Sequence, residues 1–250
     1  MVQYFDGSGS FLSVLKSRGF SPKHIVDVGA NHGNWTRAAL TYFPDSYYTL
    51  IEPQDYLKAN MQDLLAREDG KIQWIGAGAS DKPGTSSLTI AHRDDTSSTF
   101  SVTLEWAEAR GMRRIEVPVV TLNEIVRTSN APFPEMVKID TEGFDLKVIS
   151  GASELLGRTE VFQIEACIYG EKSFSPSRRG ESSTLSHPEA VLDGAWKNTL
   201  ENVITTMSHA GYHVIDIPCL NRSPKYDVLW LCDLAFLRND SSLLAGLDYE

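Results

Sequence analysis

"HIVDVGANHGNWT", residues 24–36, decides the fold. A short apolar run ends in a turn carrying Gly29 and Gly33, and "NWTRAALTYF" (34–43) follows with the spacing of a helix. Strand, glycine turn and helix in that order open a parallel α/β sheet. The rest of the chain keeps the rhythm. "YYTLIEP" (47–53) reads as a second strand, followed by a helix over residues 55–68 with Leu57, Met61, Leu64 and Leu65 on one face. "KIQWIGAGA" (71–79) is a third strand. "EMVKIDTEG" (135–143) is a fourth, leading into "DLKVISGASELL" (145–156), and "VFQIEACI" (161–168) is a fifth. Leu200, Val203, Ile204 and Met207 fall at i, i+3, i+4 and i+7 of a late helix, before strands "YHVIDIP" (212–218) and "VLWLCDLAFL" (228–237). The expected fold is an α/β, Rossmann-like, doubly wound and mostly parallel seven-stranded sheet. It forms one domain over 1–250, with a helical lead-in over 1–22.

Three stretches break the rhythm. "GTSSLTIAHRDDTSSTFS" (84–101) reads as a strand and loop, and "IEVPVVTLNEIV" (115–126) as another extended piece. "GEKSFSPSRRGESSTLSHPEA" (170–190) is aperiodic and reads as a lid or loop.

The glycine turn narrows the ligand. In an open parallel sheet, ligands bind beyond the carboxyl ends of the strands, where strand order reverses beside the first strand. Gly29 permits a turn and a close approach of backbone to ligand. Glu52 ends the second strand roughly 20 residues on, where an acid accepts hydrogen bonds from ribose hydroxyls. The two features together indicate an adenosine-like ligand. A P-loop requires a Lys after its last glycine, and none follows Gly33. A dinucleotide fingerprint requires a second glycine where Asn31 stands, so pyrophosphate fits poorly. S-adenosylmethionine remains, with its ribose on Glu52 and its amino-acid end near Asp27 and the loop amides.

Composition excludes other classes. The formal charge of −10 argues against a nucleic-acid partner. Within that balance, the basic run "RGMRR" (110–114) reads as a solvated loop. No apolar run reaches the roughly 20 residues of a membrane span. The first residues lack a basic leader followed by an apolar stretch and a cleavage site, which predicts a cytoplasmic protein. Cys167, Cys219 and Cys232 are widely spaced, predicting reduced thiols rather than a zinc site. The oligomeric state is not encoded in any motif, and a homodimer is compatible with the sequence.

"VDVGANHGNWT" (26–36), "IEP" (51–53), "ASDKPGTSSL" (79–88), "VPVVTLNEIV" (117–126) and "VKIDTEGFDLKVISGA" (137–152) together resemble the FkbM family of S-adenosylmethionine-dependent methyltransferases. The resemblance implies a class I-like fold and methyl transfer to hydroxyl oxygens of sugars or glycosylated secondary metabolites. It assigns Asp27, Gly29, Ala30, Asn31, Gly33 and Asn34 to the methionine half of the cofactor, Glu52 with Pro53 and Gln54 to the ribose, and Ala77, Gly78 and Ala79 to the adenine. His32 is expected to be an exposed loop imidazole.

A hydroxyl is a weak nucleophile, so such an enzyme needs a base, or a metal that lowers the hydroxyl pKa. Asp140 and Glu142, at i and i+2 where the fourth strand ends, supply two carboxylates at the cleft, and Glu165 ends the fifth strand alongside. Three oxygen ligands of this kind suit Mg²⁺ or another hard divalent cation. The competing reading has Asp140 hold the cofactor ammonium, while Glu142 caps the next helix or pairs with Lys138 or Lys147. His92 is a further candidate base. Trp35 and Trp74 read as packing residues. Two other functions stay open: a Rossmann-like nucleotide-binding domain without catalysis, and an NAD-dependent oxidoreductase.

Overall fold

The computed structural model describes residues 4–90, 111–168, 198–222 and 227–246. His92 and the 170–190 stretch lie outside the described residues. The strands are β1 (Tyr4–Asp6), β2 (His24–Val28), β3 (Tyr47–Ile51), β4 (Ile72–Ile75), β5 (Gly78–Ala79), β6 (Gly84–Ile90), β7 (Arg113–Val120), β8 (Met136–Ile139), β9 (Val161–Cys167), β10 (Tyr212–Arg222) and β11 (Leu229–Arg238). The helices are α1 (Ser8–Ser17), α2 (Asn34–Tyr42), α3 (Gln62–Leu65), α4 (Leu122–Thr128), α5 (Asp145–Ser150) and α6 (Leu200–His209).

The main sheet runs β1-β10-β11-β9-β8-β2-β3-β4. Its centre, β9 through β4, is parallel, whereas β11, β10 and β1 pair antiparallel at one side. The seven strands read from sequence are all present, and the three-residue β1 joins them at the edge. β2 and β8 are buried along their full lengths, as strands covered on both faces must be. Alternate residues then feed two cores. Val26, Ile51, Val137, Ile139 and Ile164 pack with Leu122, Val148, Val203 and Met207, from α4, α5 and α6. Ile25, Leu50, Met136 and Val161 pack with Phe11, Leu15, Ala39, Met61 and Leu64, from α1, α2 and the segment after β3. Helices on both faces make the sheet doubly wound.

Four local readings are corrected. The helix expected over 55–68 is a 3₁₀ turn, Asp55–Met61, running into the four-residue α3. Its apolar face is nevertheless used, with Leu57, Met61 and Leu64 buried. "KIQWIGAGA" is two strands, because the chain turns at Gly76 and the amide of Ala77 donates back to the Ile75 carbonyl at 2.9 Å. The piece beyond the turn, β5, belongs to a separate three-stranded sheet, β5-β7-β6. "IEVPVVTLNEIV" is a strand and a helix. Thr121 caps α4 by accepting the Glu124 amide at 3.1 Å, and the T-x-x-E spacing that marks such a cap stands in the sequence. "RGMRR" is not all loop either, since Arg113 and Arg114 begin β7.

One close approach sets the end of α5 against the small sheet. An ideal Cβ on Gly151, which ends α5, would lie 2.1 Å from the Ser80 carbonyl oxygen just after β5. Both partners are backbone, so neither yields cheaply. Gly151→Ala is expected to destabilise by about 3 kcal/mol and to lower the melting temperature by roughly 8 °C. A thermal melt equal to that of the wild type would contradict this packing.

Candidate active site

Strand order reverses beside β2, and a cavity of about 320 Å³ lies beyond the carboxyl ends of β2, β3 and β8. Its floor is the turn after β2. Gly29 takes φ +75°, and its amide donates to the Ile51 carbonyl at 2.9 Å. A Cβ there would lie 1.8 Å from the Asp140 carbonyl oxygen, so the turn threads a gap that admits only glycine. Asn31 takes φ +47°, which Asn tolerates better than most residues. Its amide donates to Glu52 Oε2 at 2.9 Å, and its Oδ1 accepts the His32 amide at 2.7 Å.

Glu52 is 3% exposed and still reaches the cavity. Its Oε1 accepts the Gln54 amide at 2.9 Å, so amides on both sides hold the carboxylate in place. Burial raises its pKa, partly offset by the hydrogen bonds from Gln54 and Asn31 and by the charge of Lys138. Pro53, Gln54, Ala77, Gly78 and Ala79 line the same end, joined by Leu88 of β6. Ala30 and Asn34 line the floor.

Two glycine-loop residues lie elsewhere than expected. Asp27 is fully buried beneath the floor and does not line the cavity. Its Oδ2 accepts the Thr36 hydroxyl at 2.6 Å, and its Oδ1 lies 3.3 Å from Lys138 Nζ. Asp27 points to the α2 side, and the neighbouring strand β8 supplies a cation there. Gly33, at φ +74°, also misses the cavity; its Cβ would meet Leu64 and Met61, so its role is packing. His32, expected to be exposed, is half-buried on the cavity wall, with Nδ1 2.9 Å from Asn60 Nδ2.

Lys138 organises the acidic end. In register, Asp27, Lys138 and Gln163 form one row across β2, β8 and β9, facing α1 and α2. Lys138 Nζ donates to the Gly29 carbonyl at 2.9 Å and lies 3.4 Å from Asp140 Oδ2. Burial alone would lower its pKa, but Asp140, Asp27 and Asp233 outweigh burial and hold the ammonium charged. Gln163 continues the row: Trp35 Nε1 donates to its Oε1 at 3.1 Å, and its Nε2 donates to Asp233 Oδ2 at 2.7 Å. Trp35, Asp233 and Ser8 of α1 line that end of the cavity. Asp233 and Ser8 are additions to the sequence reading, and Lys138, considered there only as a partner of Glu142, pairs with Asp27 and Asp140. A Lys inside "VKI" and an Asp inside "LCDLAFL" were a signal, because a charge in a buried strand requires partners.

Asp140, Thr141, Glu142 and Phe144 form the wall after β8, and Glu165 stands behind them at the end of β9. Asp140, Glu142 and Glu165 each bring a carboxylate oxygen within 4.8 Å of the other two, as the strand-end positions predicted. Glu165 is 6% exposed; burial, then Asp140, Glu142, Asp145 and Asp233, push its pKa well above the usual carboxylate range. No side chain caps α5, the role weighed for Glu142; Asp145, its first residue, instead ties down the preceding loop, its Oδ1 accepting the Thr141 amide at 3.0 Å and its Oδ2 the Gly143 amide at 3.1 Å.

Residues 27–214 match the family model described as the methyltransferase FkbM domain. Among curated proteins, none matches the chain in sequence. Solved structures similar to it include the precorrin-6y C5,15-methyltransferase of Geobacter metallireducens (12% identity, 92% of this chain and 87% of that one, TM-score 0.47). Two others are the O-methyltransferase TomG of Streptomyces achromogenes (12%, 92% and 79%, 0.48) and the N-methyltransferase NodS of Bradyrhizobium japonicum (10%, 92% and 93%, 0.48). These likenesses are too remote to bear on substrate or mechanism.

Proposed function

The chain belongs to the FkbM family of S-adenosylmethionine-dependent methyltransferases, and from that premise we propose that it methylates a hydroxyl oxygen of a sugar or glycosylated small molecule, with the acids just after β8 and towards the carboxyl end of β9 carrying the chemistry. Family membership sets aside the oxidoreductase reading. The observation that carries the proposal is the convergence of Asp140 and Glu142, on the cavity wall, with Glu165 behind them.

The cavity's own residues fit the cofactor. The buried Glu52 carboxylate keeps lone pairs for a ribose diol, beside a slot made apolar by Ile51, Pro53, Ala77 and Leu88. Asp140, Glu142 and Asp233 line the other end, where acids suit a cationic sulfonium and ammonium. When bound, S-adenosylmethionine supplies an electrophilic methyl group. The acceptor oxygen forms its bond to that methyl in line with the breaking carbon–sulfur bond, and the hydroxyl proton leaves to a base. A carboxylate of the Asp140–Glu142–Glu165 group takes that proton. Burial and mutual repulsion raise the proton affinity of Glu165, and a carboxylate of raised proton affinity is a stronger base than one in water.

Transfer of labelled methyl to a panel of methyl glycosides tests the reading. Asp140→Asn or Glu142→Gln is expected to lower turnover at least ~100-fold. Binding of S-adenosylhomocysteine should persist in both, weakened by less than turnover falls. Full turnover in both variants, or no transfer to any hydroxyl acceptor, would refute it.

The oxygen spacing supports a second reading, in which the three carboxylates hold a divalent cation such as Mg²⁺ that lowers the hydroxyl pKa. Chelation would then abolish transfer and added Mg²⁺ restore it; turnover indifferent to chelator leaves the base alone. Among the described residues no helix is long and apolar enough to cross a membrane. We place the reaction in the cytoplasm, in keeping with the wide spacing of Cys167, Cys219 and Cys232 along the chain.

A further inference from the structure

The wall that presents Asp140 and Glu142 adopts an unfavourable backbone. Glu142 takes φ +54° and Gly143 φ +96°, two left-handed steps in succession. A non-glycine residue stays in that region only where its surroundings over-determine it. Here the constraint is Asp145, fully buried, whose two carboxylate oxygens receive the amides of Thr141 and Gly143 on either side of Glu142.

Asp145 is itself held, by a residue from a distant part of the chain. Asn198 precedes the Thr199 cap of α6 and is fully buried. Its Nδ2 donates to Asp145 Oδ2 at 2.7 Å and to the Glu165 carbonyl at 3.1 Å. Its own carbonyl accepts the Cys167 amide at 2.9 Å, tying it to the end of β9. Asn198 Oδ1 is buried and finds no hydrogen-bond partner among the described residues. An apolar side chain would avoid that desolvation loss but would strip Asp145 and the Glu165 carbonyl of their donor. Aspartate would set a second carboxylate against Asp145. The side chain present is therefore the one whose amide nitrogen bridges the β8 wall to the β9 end.

We propose that Asn198 is a positioning residue: through its two donated hydrogen bonds it fixes the spacing of Asp140 and Glu142 against Glu165. The inference rests on the reading that these acids carry methyl transfer. Asn198 is not among the residues lining the cofactor cavity, so its loss should spare cofactor binding.

The test uses the full chain with Asn198→Leu, and Asn198→Asp as a second variant should the first not fold. Amide exchange at Thr141 and Gly143 is expected to quicken about tenfold or more, while Val28 and Ile139 stay protected. With the best methyl glycoside as acceptor, kcat falls about tenfold or more, and KM for S-adenosylmethionine stays within about threefold. Unchanged exchange at Thr141 and Gly143 would overturn the proposal, as would kcat and KM worsening together. Should the panel yield no acceptor, the exchange measurement decides alone. Failure of the wild type to bind S-adenosylhomocysteine would instead count against the function itself.

Discussion

Gly29→Ala is expected to be the most damaging substitution in the glycine loop. Two penalties add. Alanine at φ +75° costs about 1–2 kcal/mol, and its Cβ would sit 1.8 Å from the Asp140 carbonyl oxygen. The obstacle is backbone on the neighbouring central strand, so relief requires β2 and β8 to part at their carboxyl ends, where the cavity floor lies. We expect folded Gly29→Ala to be recovered poorly and to show no binding of S-adenosylhomocysteine. Gly33→Ala is the control. It has nearly the same dihedral, but its Cβ meets the flexible ends of Leu64 and Met61, at 2.8 Å and 3.1 Å. It should fold, lose about 2 kcal/mol and keep binding. Equal behaviour of the two variants would show that the close approach of the β2 turn to Asp140 does not govern the loop.

Lys138→Met is expected to lose about 4 kcal/mol in urea unfolding, the range for stripping a buried charge of its partner. The fully buried Asp27 would keep only the Thr36 hydroxyl, and Asp140 and Asp233 would face each other without the cation between them. Removing both charges should do less harm than removing one. Asp27→Leu combined with Lys138→Met is accordingly expected to recover part of the loss. If the double variant is the sum of the two single ones, the ion pair does not couple β2 to β8.

What could be read from sequence, and what could not, divides by how far an inference reaches along the chain. Continuous apolar runs such as "HIVDV" and "MVKI" announce parallel strands covered on both faces, and the helical period of Leu200, Val203, Ile204 and Met207 survives as α6. The placement of Glu52 at the cavity was legible because a strand end and its following proline are local features. The convergence of Asp140 and Glu165 was legible for a similar reason: both lie toward the carboxyl ends of parallel strands, and such ends share one edge. The burial of Asp27 below the cavity was not legible, because it depends on Lys138, more than a hundred residues later, arriving in the same row. Gln163, Asp233 and Asn198 needed strand order and register before their contacts existed. The cap at Thr121, by contrast, is local, and its T-x-x-E pattern stands in the sequence.

The central claim, that the cavity beyond β2 takes S-adenosylmethionine by way of Glu52, is tested most directly by calorimetry with S-adenosylhomocysteine on the wild type and Glu52→Ala. One site with micromolar affinity is predicted, weakened at least ~10-fold in the variant by loss of hydrogen bonds to a charged acceptor. Absence of binding to the wild type, with NAD bound instead, would contradict the account, as would equal affinity in a folded Glu52→Ala.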